Sequence, residues 1–166
     1  MDHPASDIRR QATRLLDSAS VSHEPVSLRD VVSALNLELV GKTREPFTSE
    51  AALELLGDAR AAALQDSGNA GRRRFTIAHE IGHFVLHPER GRPECGGAAV
   101  DEAERVEECE ADAFAAELLM PERLVREAVH KQGPDVDRLA GRFEVGRKAM
   151  RARLDDLGLA EPHSDR

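Results

Sequence analysis

The chain predicts an α+β domain that is mainly helical, and three observations carry that prediction. Apolar residues recur three and four positions apart through most of its length, a short stretch at 37–40 alternates instead, and 166 residues with 40% hydrophobic content suffice for one core. No apolar run approaches the roughly 20 residues of a membrane helix. The opening Met1-Asp2-His3-Pro4 has neither the basic cluster nor the apolar stretch of a secretion signal, so a cytoplasmic location is expected. Cys95 and Cys109 fit no CxxC pair and read as reduced thiols.

The first helix is expected over 6–20, where Ile8, Ala12, Leu15, Leu16 and Ala19 share one face and Ser6 can cap it. Ser27, with Asp30 three positions on, opens a second helix through Leu28, Val31, Val32 and Leu35, which Asn36 should end. Leu37-Glu38-Leu39-Val40 alternates like a strand and stops at Gly41. Residues 49–65 read two ways. Their intrinsic propensity is helical, yet Gly57-Asp58 sits between two apolar runs of strand length, as in a hairpin. A helix follows from Phe75 to His87, ended by Pro88, then a Gly-rich loop, a long helix over 101–119 and another from Pro121 to Val129, closed by Gly133-Pro134. Residues 135–159 read as two short helices, and 161–166 as a frayed tail.

The net charge of −8 is concentrated. Eight acids against Arg105 alone between Asp101 and Glu117 give a local −7, which argues against non-specific nucleic-acid binding by the whole chain. Trp and Tyr are absent, so no phenol serves as a hydrogen-bond donor in any site.

His79-Glu80-Ile81-Gly82-His83 is an HExxH motif on a segment that reads as helix on other grounds. Four residues turn a helix by about 400°, so both imidazoles leave nearly the same side and can reach one cation. In that pattern two neutral histidines hold Zn²⁺ and the adjacent carboxylate, here Glu80, takes a proton from bound water. The metzincin continuation fails, because Leu86 and Glu89 stand where Gly and His would be required. The acidic helix offers a third ligand. Its apolar stripe reads as Ala103, Val106, Ala113, Phe114 and Leu118, with Glu110 inside it, and a carboxylate facing a core costs several kcal/mol unless a cation binds it. Glu107 and Glu117 share that face as candidate partners of the histidines. Glu102, Glu104 and Glu108 read as a solvated face. His87 extends the histidine face by one turn, and its position also suits a helix C-terminus.

The blocks from Arg74 to His87 and from Glu110 to Pro121 resemble the ImmA/IrrE family of zinc metallopeptidases in order and spacing, and the remaining chain follows that layout. The resemblance implies a zincin-like, gluzincin-type domain over 1–133, with His79, His83 and Glu110 as zinc ligands and Glu80 as general base. It also implies a small antiparallel sheet beside the HExxH helix, with strands at Leu53 to Leu56 and Ala61 to Gln65. In related zinc peptidases the edge strand pairs with an extended substrate, which would give Ala61, Ala62, Ala63, Leu64 and Gln65 that role. The implied substrate is a helix-turn-helix repressor, cut to relieve repression.

Residues 134–160 resemble a helix-turn-helix with a basic second helix, in which Arg147, Lys148, Arg151 and Arg153 are candidates for nucleic-acid or partner contact. Against DNA, Gly146 replaces the usual Ser cap, the window nets only +1, and the family carries this unit as part of the protease body. A non-catalytic prophage or toxin–antitoxin module with a structural metal is the competing reading. Glu80 speaks against it, since a structural site has no use for an acid beside an open metal position.

Overall fold

The computed structural model describes residues 4–42, 70–87 and 102–160, which form α1 (Pro4–Ser18), α2 (Leu28–Lys42), α3 (Ala70–Leu86), α4 (Glu102–Leu119), α5 (Glu122–Gln132), α6 (Val136–Phe143) and α7 (Arg147–Asp156). All of the regular structure among these residues is helical, which overturns the α+β expectation. The expected strand at 37–40 is the last part of α2. A helix already nucleated at Ser27 gains one hydrogen bond per added residue, and a four-residue alternation of Leu, Glu and Val does not outweigh that gain. Neither Asn36 nor Gly41 terminates it. The strands expected at 53–56 and 61–65 lie outside the described residues, as does Cys95.

Local signals start and stop the helices. Ser27 Oγ accepts the Asp30 amide at 3.3 Å, and the Asp135 carboxylate accepts the Arg138 amide at 2.9 Å, so α2 and α6 begin at side-chain caps. Gly133 ends α5 at φ 80°, a conformation costly for any residue with a Cβ, and its amide bonds Val129 O at 2.8 Å. Glu144 takes φ 53° and closes α6.

The core runs through every helix. Ile8, Ala12 and Leu15 of α1 meet Val31 and Leu35 of α2, Ile81 of α3, Phe114 and Leu118 of α4, Val125 of α5, and Phe143, Met150 and Leu154 of the last two helices in a single cluster. The helix-turn-helix-like segment is therefore part of the body. Helix α3 packs chiefly on α4, and α4 in turn carries α1. Gly82 makes the first contact close: a Cβ there would lie 3.1 Å from the Cα of Ala111 and 3.3 Å from Cβ of Phe114. Gly71 does the same at the head of α3, where a Cβ would come within 2.6 Å of the backbone carbon of Val145.

One charged side chain enters this core. Arg153, 4% exposed, donates from Nη1 and Nη2 to the two Glu117 oxygens at 3.0 and 2.6 Å and from Nε to Met120 O at 3.0 Å. Arg9 adds a second donor to Glu117 at 3.1 Å. The bidentate pair joins α7 to α4, and the remaining donors meet acceptors, which is what a buried ion pair needs to be tolerated.

Candidate metal centre

Helices α3 and α4 supply the site. On α3, His79 and His83 leave the same side one turn apart, with ring centroids 4.6 Å apart and planes at 78°. Their Nε2 atoms approach to 3.0 Å. On α4, Glu108 faces them, its Oε2 3.3 Å from His79 Nε2 and its Oε1 3.1 Å from His83 Nε2. Among the described residues, these three form the group of His, Cys, Asp or Glu side chains whose donor atoms converge on a common point. A tetrahedral zinc with ligands at about 2.0–2.1 Å sets its donor atoms about 3.3–3.4 Å apart. The two Nε2 atoms lie 3.0 Å apart and each lies within 3.3 Å of one Glu108 oxygen, close to that edge, so the residues fit the ion.

The other histidine nitrogen is also occupied. His79 Nδ1 lies 2.8 Å from Asp112 Oδ1, so the Nδ1 proton is donated to the carboxylate and the Nε2 lone pair is directed at the cluster. Burial, and next the neighbouring His79, push the His83 imidazole below its ordinary value of 6.5, against the opposing pull of Glu108 and Glu80. The neutral imidazole, the form that binds a metal, is thereby favoured. Glu80 is half-buried, and its charge bears on His83.

The structure separates Glu110 from this cluster. Its Oε2 is 3.5 Å from Nε2 of His87, at the end of α3. The buried stripe of α4 is Ala111, Phe114, Ala115, Leu118 and Leu119, whereas Ala103, Val106 and Ala113 are exposed. Glu108 and Glu110 are two residues, about 200°, apart, so they sit on opposite edges of that stripe. Sequence reasoning placed Glu108 on the solvated face and did not single out Asp112. The signal that finds both is their spacing: an acid at i and an acid at i+4 on the facing helix put one carboxylate on the cation and the next against the first histidine.

Glu117 serves Arg153 and Arg9 rather than a histidine. Glu107 is half-buried on α4. Arg147, Lys148 and Arg151 are exposed on α7, but the buried Arg153 has no surface to offer a phosphate. Residues 61–65 lie outside the described residues. Cys109 is a free, exposed thiol. No helix among the described residues is long and apolar enough to cross a membrane.

Comparison with known proteins points to a metallopeptidase family. Residues 36–155, 120 of 166, match the IrrE N-terminal-like domain family of peptidases. The chain is 29% identical over 94 residues to metallopeptidase ImmA of Bacillus subtilis (strain 168), an alignment covering 54% of this chain and 53% of that protein. The chain thus spans about half the length of the curated relative it matches. No solved structure matches it. With a family match over most of its length, the chain belongs to the ImmA/IrrE peptidases, the family of the IrrE N-terminal-like domain.

Proposed function

We propose that the protein is a cytoplasmic zinc-dependent endopeptidase whose metal is held by His79, His83 and Glu108. The convergence of two imidazole nitrogens and one carboxylate, with Asp112 behind His79, is the observation that carries this reading. Three protein ligands are the number a catalytic zinc site uses, since the fourth position stays open for water or substrate. Zinc held there would lower the pKa of a bound water and polarise a peptide carbonyl.

The chain's own residues supply the rest. Glu80, next to a ligand and half-buried, accepts the water proton and returns it to the departing amine. Asp112 fixes the tautomer and ring plane of His79. Because α3 and α4 supply all three ligands, the close Gly82 contact with Ala111 sets how near Glu108 comes to the histidines. A protein substrate follows from the family, and a helix-turn-helix repressor is the substrate the resemblance favours. The test is Glu80→Gln. A peptidase loses cleavage while retaining zinc and helical content; a protein with a structural metal keeps its activity.

A further inference from the structure

A groove of about 1120 Å³ is lined by α1, α3, α4 and α7, and it is linked to the metal centre through Asp112, the partner of His79. Thr76, one turn before His79, also lines it. Its floor is apolar, built from Ile8, Phe75, Ala116 and Ala149, and the two alanines keep it open. Arg72, Arg147 and Lys148 stand exposed along its rim. The volume exceeds the roughly 300–1,000 Å³ of a small-ligand site, and the shape is an open trough rather than an enclosed cavity.

The rim is opposite in sign to the chain as a whole. The protein carries −8, and α4 itself is strongly acidic, yet the groove is lined by Arg9, Arg72, Arg147, Lys148 and Arg153 against Asp112, Glu117 and Asp156. At physiological ionic strength, charges beyond about 8 Å are screened, so a segment entering the groove senses the rim rather than the net charge. Two of the lining acids have cationic partners. Glu117 is held by Arg9 and Arg153, and Asp156 by Arg153. Arg147 is paired with Asp137, but both side chains are more than 60% exposed, and such a surface pair exchanges its partner readily.

We infer that this groove binds an acidic, partly apolar segment of the protein substrate away from the cut bond, with Arg147 and Lys148 as the residues that select for negative charge. The inference rests on the peptidase reading for its location and on the groove's own charge and shape for its occupant. Gly71 fixes the arrangement, since its backbone abuts Val145 and Gly146 and ties the head of the metal helix to the first turn of α7.

The test uses full-length Glu80→Gln protein, which holds a peptide uncut, and fluorescence anisotropy of three labelled probes. These are a peptide of about ten alternating Glu and Leu residues, its Lys and Leu counterpart, and a single-stranded oligonucleotide of matching length. The Glu/Leu peptide is expected to bind about tenfold tighter than the Lys/Leu peptide, a preference that shrinks with added salt. Arg147→Glu with Lys148→Glu, both at exposed positions, is expected to abolish the preference while circular dichroism and zinc content stay unchanged. Ala149→Phe is expected to weaken the peptide by filling the floor. Equal binding of the two peptides, a preference that survives charge reversal, or an oligonucleotide tighter than the Glu/Leu peptide overturns the inference. Because the readout needs no bond to be cut, acid-selective binding by a wild type that cleaves nothing sinks the peptidase reading and leaves the groove assignment standing.

Discussion

His79 Nδ1 and Asp112 Oδ1 are 2.8 Å apart across the α3–α4 interface, and this one contact determines which imidazole nitrogen faces the cluster. With Nδ1 donating, Nε2 is left to bind a cation, and the ring cannot flip without losing a charge-assisted bond. Asp112→Asn keeps the shape and removes the charge. Zinc affinity is expected to fall by about 10- to 100-fold with little change in melting temperature, read by competition with a chromogenic chelator.

Gly82 is where the two ligand-bearing helices come closest. Gly82→Val places a branched side chain against Ala111 and Phe114, which are backbone and core rather than a flexible side chain. Overpacking of this kind costs about 1–3 kcal/mol. Urea denaturation should show that loss, and zinc affinity should drop with it because Glu108 moves away from the histidines.

Arg153→Met strands Glu117 in a mostly buried position with only Arg9 to compensate. A loss of about 3 kcal/mol is expected, at the low end for a broken buried pair because Arg9 remains. Adding Glu117→Met should recover part of it. A double variant no more stable than the single would show that the ion pair is not the source of the loss.

Glu122 gives a pH dependence of known sign. The hydrogen bond from Arg126, joined by the charge of Arg9, holds its carboxyl below the usual 4.5. A depressed folded pKa contributes stability above the unfolded value, and that contribution is lost as pH falls through the folded one. Glu122→Gln should therefore cost at most about 1 kcal/mol at neutral pH, and progressively less as pH falls through the depressed folded value. Denaturation followed from neutral to acid pH checks it.

The parts of the fold that sequence revealed are those governed by local rules. The cap at Ser27, the break after Leu119, the glycine stop at Gly133 and the HExxH helix each follow from a few neighbouring residues. The acid that faces the two histidines differs from the one the sequence singled out, for a tertiary reason. Alanines read as apolar are also tolerated in water, so Ala103 and Ala113 with Val106 suggested a stripe centred near Glu110. The helix actually buries Ala111, Phe114 and Ala115. Rotating the buried face turns Glu110 toward His87 and Glu108 toward His79 and His83. The strand expected at 37–40 failed similarly, because four alternating residues carry less information than the helix already running into them.

The most direct measurement is zinc per chain, by elemental analysis of untagged protein, for the wild type, Glu108→Ala and Glu110→Ala. Near-stoichiometric zinc in the wild type and Glu110→Ala, lost in Glu108→Ala, is the predicted result. Zinc retained in Glu108→Ala but lost in Glu110→Ala would contradict the proposed ligand set.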